Sequence, residues 1–118
     1  MATLVVGAGQ GIGYEFVNNF IRKYPGRKII AVSRNIKNLM ELEKKSNFLS
    51  VFKCDITSVN DLKNLRKNLI QNKIKITYLI NFAGILIKKN WEKLSQEDFF
   101  EIYNTNVYAP FNLIRTIS

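Results

Sequence analysis

The sequence predicts an α/β fold: a parallel sheet of four strands, each followed by a helix, with helices on both faces. Three observations lead there. Short apolar runs alternate four times with segments of helical periodicity. The runs are apolar at consecutive positions, as in strands covered on both sides, and do not alternate in the manner of a half-exposed strand. The first run ends in closely spaced glycines, Gly7, Gly9, Gly11 and Gly13, where a strand turns into a helix.

Residues 2–6 (ATLVV) form the first strand. Residues 11–24 follow as a helix carrying Ile12, Glu15, Phe16, Asn19 and Phe20, and "YPGRK" ends it because proline and glycine interrupt helical bonding. Residues 28–33 (KIIAVS) make the second strand, 36–46 a helix, and 48–54 (FLSVFKC) the third strand. Ser58 is placed to cap a helix reaching about Asn72. Residues 75–81 (KITYLIN) make the fourth strand, and "SQED" at 95–98 has the pattern of a capping box opening one long helix towards the chain end, with Phe99, Phe100, Ile102 and Tyr103 on it. Right-handed crossovers leave few topologies for four such units. With the glycine turn after strand 1, they predict the nucleotide-binding half of a doubly wound sheet, spatial order 3-2-1-4, its crevice at the carboxyl ends of strands 1 and 4.

Composition narrows the chemistry. A chain of 118 residues, 47% hydrophobic, supports one domain over residues 1–118. One cysteine, Cys54, cannot form an internal disulfide and reads as a small buried hydrophobe; with no histidine, imidazole acid/base chemistry and a transition-metal centre are not expected. The net charge of +9 comes from 18 basic residues dispersed as short pairs such as Arg22/Lys23 and Lys88/Lys89, without interleaved aromatics. That pattern favours an anionic small ligand over nucleic acid. The N-terminus is apolar only from Ala2 to Val6 with no basic residues ahead of it, so neither a signal peptide nor a membrane span is expected, and the expected compartment is the cytosol.

The glycines match GxxxGxG at Gly7, Gly11 and Gly13; GxGxxG fails because Ile12 holds its last place. Gly7 permits the sharp turn out of the strand, Gly11 lets backbone approach a pyrophosphate, and Gly13 lets the helix pack tightly on the sheet. Amides around Gly11 and Ile12 then offer a positive helix end to phosphate. A glycine-rich turn with no ligand is the alternative at this point.

With its companions, this turn resembles the N-terminal part of the short-chain dehydrogenase/reductase family, over the whole chain. "VGAGQGIG" corresponds to the family's TGxxxGxG, with Val6 for the threonine. "CDIT" supplies Asp55, where the family has an aspartate that receives the adenine amino group, with Ile56 beside it. "NFAG" corresponds to NNAG, giving Asn81, Ala83 and Gly84, with Phe82 in place of the second asparagine. "TNVYAPF" places Asn106 where the family has the asparagine that props its proton relay. The resemblance implies a Rossmann-type fold, a nicotinamide dinucleotide, and hydride transfer with a carbonyl or alcohol substrate. On the residues alone, Asp55 also suits an ordinary pre-helix turn, and Asn106 a helix surface.

The cofactor type turns on the end of strand 2, "AVSRN". No carboxylate stands there to bind ribose hydroxyls and repel a phosphate; Ser33 and Arg34 instead form a fork suited to a 2′-phosphate, which favours NADP. The family's second NADP signature, a basic residue before the middle glycine, is Gln10 here. The family's catalytic pair is YxxxK, in which the lysine lowers a tyrosine pKa that is otherwise near 10. The one match, Tyr24 to Lys28, has Pro25 and Gly26 between its members, so the two cannot share a helical face. The expectation is a cofactor-binding part without the tyrosine and lysine, acting on a substrate only if a catalytic half is supplied. A relic module binding nucleotide or protein is the alternative. Strand 4 would be a bare edge, which predicts a homo-oligomer.

Overall fold

The computed structural model describes all 118 residues, Met1 to Ser118. Four strands, β1 (Ala2–Val6), β2 (Ile29–Ser33), β3 (Leu49–Lys53) and β4 (Ile76–Asn81), form one parallel sheet of order β3-β2-β1-β4. The expected strand order is therefore the observed one, and each strand lies within a residue of its expected limits.

Helices α1 (Gly11–Lys23) and α2 (Lys37–Glu43) cover one face and α3 (Val59–Gln71) and α5 (Ala109–Ile117) the other. Alternation along the strands divides the core between them. Leu4, Val6, Ile30 and Val32 pack against Leu62, Leu65 and Leu69 of α3 and Ala109 and Leu113 of α5. Val5, Ile29 and Ala31 pack against Val17 and Ile21 of α1 and Leu39 and Leu42 of α2. Because β1 and β2 give side chains to both clusters, they are apolar at nearly every position, which is the pattern that marked them as buried strands.

Two helix starts are closed by side chains. The Ser58 hydroxyl accepts from the Asp61 amide (3.2 Å) at α3, and a complete Ser95–Asp98 capping box opens α4 (Gln96–Tyr103), tied further by Lys89 Nζ to the Asp98 carboxylate at 2.7 Å.

Two departures from expectation have local causes. α2 stops at Glu43, because the Lys45 and Ser46 amides turn back to Leu42 and Glu43, three residues earlier, in the tight bonding of a fraying end. The long C-terminal helix is three pieces: α4, a π-helical turn Asn104–Tyr108, and α5. In the turn the Ala109 amide reaches back five residues to Asn104. Pro110, with no N–H for the carbonyl four residues back, stands where the regular ladder would otherwise run through.

β4 is an edge strand with Tyr78 67% exposed, and α4 contributes no buried residue. No helix is long and apolar enough to cross a membrane.

Candidate functional site

The carboxyl ends of all four parallel strands open on one cleft of about 560 Å³. Its first wall is the turn after β1. Gly7 has φ +76°, and a Cβ there would lie 2.4 Å from the Ala83 nitrogen and 2.7 Å from the Phe82 carbonyl carbon. The positive φ and the adjacent backbone both demand glycine. Gly13 is closed off in another way: a Cβ would lie 2.3 Å from the Gly7 carbonyl oxygen, so the first turn of α1 rests on the strand's exit. Gly11 differs from both, with φ +59° and nothing within 4 Å of where its Cβ would be. The backbone there borders open space.

The amides of this turn are unspent. None from Gly9 through Gly13 donates a hydrogen bond inside the chain; the first helical bond of α1 is Tyr14 N–H to the Gln10 carbonyl at 3.3 Å. Gln10, the N-cap, makes no side-chain cap, and the first turn carries no acidic residue. The starts of α3 and α4 are capped and carry Asp61, Glu97 and Asp98, so α1 alone of these three presents free donors and an uncompensated dipole.

The second wall comes from the loop after β2. The Arg34 side chain is exposed and makes no salt bridge, while the Asn35 carboxamide caps the Lys37 amide at 3.0 Å. Gly9, given no role by its spacing, is required here: a Cβ would lie 2.4 Å from Ser33 Oγ and 2.6 Å from the Asn35 carbonyl oxygen. It lets the β1 and β2 loops meet. The only signal for it in the sequence is its place as the extra glycine between two matched ones.

Asp55 forms the floor after β3. One carboxylate oxygen accepts from both the Thr57 amide (2.9 Å) and hydroxyl (2.7 Å), and the second accepts no bond within the chain. Partial burial works against its charge, but the Thr57 hydroxyl and amide and the Arg34 guanidinium outweigh it and hold the carboxyl below the usual range. Asp55 thus builds the turn and also presents a free anionic oxygen. Neighbouring Cys54 is buried, and burial, reinforced by Asp61 and Asp55, pushes its thiol up to about 12, so it is no nucleophile at neutral pH.

The fourth wall follows β4. The Phe82 amide extends the sheet by donating to Val6 (2.8 Å), and the Asn81 carboxamide accepts from the Ala83 amide (2.9 Å). From the π-helical turn, Asn106 clamps Ile85 at both ends, accepting from its N–H and donating to its carbonyl, each at 2.8 Å. Gly84 lies beneath this clamp, where a Cβ would come 3.2 Å from Asn106 Oδ1.

Of the residues singled out in the sequence, Gly7, Gln10, Gly11, Arg34, Asp55, Ile56, Ala83 and Gly84 line the cleft together. Ile12, Gly13, Asn81 and Asn106 do not line it; of the four only Gly13 is buried. Asn38 and Thr105 also line it and carried no signal in the sequence. Tyr24 and Lys28 do not: Tyr24 ends α1 with its ring 4.7 Å from the Arg27 guanidinium, and Lys28 bonds to Ser50 at 2.7 Å.

The same fold recurs in known proteins. A family model described as short chain dehydrogenase matches residues 1–118. The chain belongs to the short-chain dehydrogenase family. Within it, a tropinone reductase homolog of Datura stramonium is 33% identical over 118 residues, covering 96% of this chain and 43% of that protein. An uncharacterized oxidoreductase of Saccharomyces cerevisiae is 25% identical, covering 98% and 36%. The crystal structure of NADPH-bound carbonyl reductase from chicken fatty liver superposes with a TM-score of 0.90 at 27% identity, covering 98% of this chain and 46% of that one. 4-Hydroxyisoleucine dehydrogenase in complex with NADH superposes with a TM-score of 0.84 at 30% identity, covering 98% and 47%. The chain thus has the family's Rossmann-type fold and spans less than half the length of these relatives.

Proposed function

We propose that this chain is the NADP(H)-binding part of a short-chain dehydrogenase-type oxidoreductase acting on a carbonyl or alcohol substrate. The observation that carries this is the run of unspent amides from Gly9 to Gly13 at the start of α1, of which Gly9, Gln10 and Gly11 line the cleft beside the loop that carries Arg34, a residue with no salt bridge. The fit to a dinucleotide is good: successive N–H donors at a helix end suit a pyrophosphate, and the open space beside Gly11 lets it come close.

Each residue then has a task. The Gly11 and Ile12 amides hold the pyrophosphate, and Gly7 and Gly13 hold those amides against the sheet. Asp55 offers its free oxygen to the adenine amino group, with Ile56 beside it. Arg34 with Ser33 binds the ribose 2′-phosphate, a charge-assisted contact, and no carboxylate in that loop repels it. The NADPH-bound carbonyl reductase supports this choice; the NADH-bound relative makes the β2 loop the deciding feature. Ala83 and Gly84 present backbone to the nicotinamide ribose. Asn106 is a positioning residue, because both ends of its amide are committed to Ile85. When bound, the nicotinamide supplies the hydride donor or acceptor. The acid that protonates substrate lies outside these residues, so turnover requires a second part carrying the tyrosine and lysine.

Arg34→Ala tests the cofactor reading. NADPH affinity should fall at least tenfold with NADH affinity changed less than twofold, both by fluorescence titration. Equal losses for the two would overturn the 2′-phosphate role.

A further inference from the structure

Phe82 stands where the family's motif has a second asparagine, and its surroundings show what the exchange does. Its ring lies 5.7 Å from that of Phe16 on α1, tilted at 48°. Phe16 continues to Phe20 at 6.0 Å and Phe20 to Tyr24 at 5.3 Å, an aromatic ladder along α1. A helical side chain leans towards the helix N-terminus, so Phe16 reaches back over the turn that begins at Gly11. An asparagine at position 82 would make no such apolar contact with Phe16.

The backbone of Phe82 closes a circuit. It pairs with Val6 and abuts Gly7, whose carbonyl supports Gly13 on the first turn of α1. That turn is thus held to the end of β4 at two places: through Gly7 and Gly13 by backbone, and through Phe16 and Phe82 by rings. Phe82 also lines the cleft.

We infer that Phe82 is a positioning residue for pyrophosphate binding: braced on Phe16, it fixes the distance and tilt of the free amides at the start of α1 relative to the post-β4 wall. The inference rests on the dinucleotide reading. It assigns the Phe82–Phe16 pair the task of rigidly setting a site that neither ring need touch. A tilted aromatic pair at this separation suits that task, since it attracts beyond the apolar area that it buries.

The test uses the full chain and two ligands, NADPH and adenosine 2′-monophosphate, the latter lacking the pyrophosphate. Phe82→Asn, the family's residue, should weaken NADPH about tenfold and adenosine 2′-monophosphate less than twofold. Phe82→Leu, which keeps an apolar contact with Phe16, should restore most of the NADPH affinity. Phe16→Ala should reproduce the Phe82→Asn loss, and the double variant should be no worse than either single one. Melting temperatures accompany each titration, so that a general loss of structure, which would weaken both ligands alike, is recognised and counts against the inference. Unchanged NADPH affinity in Phe82→Asn, or additive losses in the double variant, overturns it while leaving the cofactor reading intact. A wild-type chain that binds neither ligand overturns both.

Discussion

Alanine at Gly11 and at Gly7 separates what the glycine turn does for the fold from what it does for the ligand. At Gly11, φ is +59° and nothing lies within 4 Å of the added methyl, so the folded state meets only left-handed backbone strain. That costs about 1–2 kcal/mol, partly offset by about 0.4–1 kcal/mol from the stiffer unfolded chain. At roughly 4 °C per kcal/mol for a domain of this size, the melting temperature should fall by about 6 °C or less. The methyl nevertheless stands beside the free amides, so NADPH affinity should drop at least tenfold. At Gly7 the same strain, φ +76°, is joined by a contact of 2.4 Å to backbone that is pinned by the Phe82–Val6 bond. Relieving such overpacking costs about another 1–3 kcal/mol, so Gly7→Ala should melt roughly 4–18 °C below the wild type, about 10 °C at the middle of that range. Calorimetry with an NADPH titration reads both quantities. A Gly11→Ala variant that binds NADPH like the wild type, or a Gly7→Ala variant as stable as Gly11→Ala, would refute the reasoning.

Two further expectations concern the rest of the chain. Because the Cys54 thiol is raised from 9.0 to about 12, its contribution to stability is complete below pH 9 and lost as pH rises towards 12; native chain should resist alkylation at pH 8 while urea-unfolded chain is labelled, and rapid native labelling would contradict this. The open β4 edge and the outward aromatics Phe99, Phe100, Tyr103 and Phe111 should drive self-association, giving at least a dimer by light scattering at micromolar concentration; a monomer would refute this expectation.

The sheet was legible because burial on both sides leaves a plain mark: "LVV", "IIAV" and "LSVF" are too apolar for a one-sided strand, and right-handed crossovers did the rest. The α3 and α4 starts were legible because Ser58 and Ser95 carry their chemistry within three residues. What escaped notice depends on meetings between distant segments. Gly9 matters because Ser33 and Asn35 come against it, and no local rule brings them there. The π-helical turn combines a local signal, Pro110, with a distant one, the Asn106 clamp on Ile85 across 21 residues of sequence. In the sequence Phe82 is only a departure from the family's pattern. Only its ring against Phe16 shows a partner for it.

The central claim, that the start of α1 and Arg34 together hold NADP(H), is tested most directly by calorimetric titration of the full chain with NADPH and, separately, with NADH. The account predicts one NADPH per chain, at least tenfold tighter than NADH, with affinity falling as salt rises because phosphate contacts are charged. No saturable binding of either dinucleotide would contradict it.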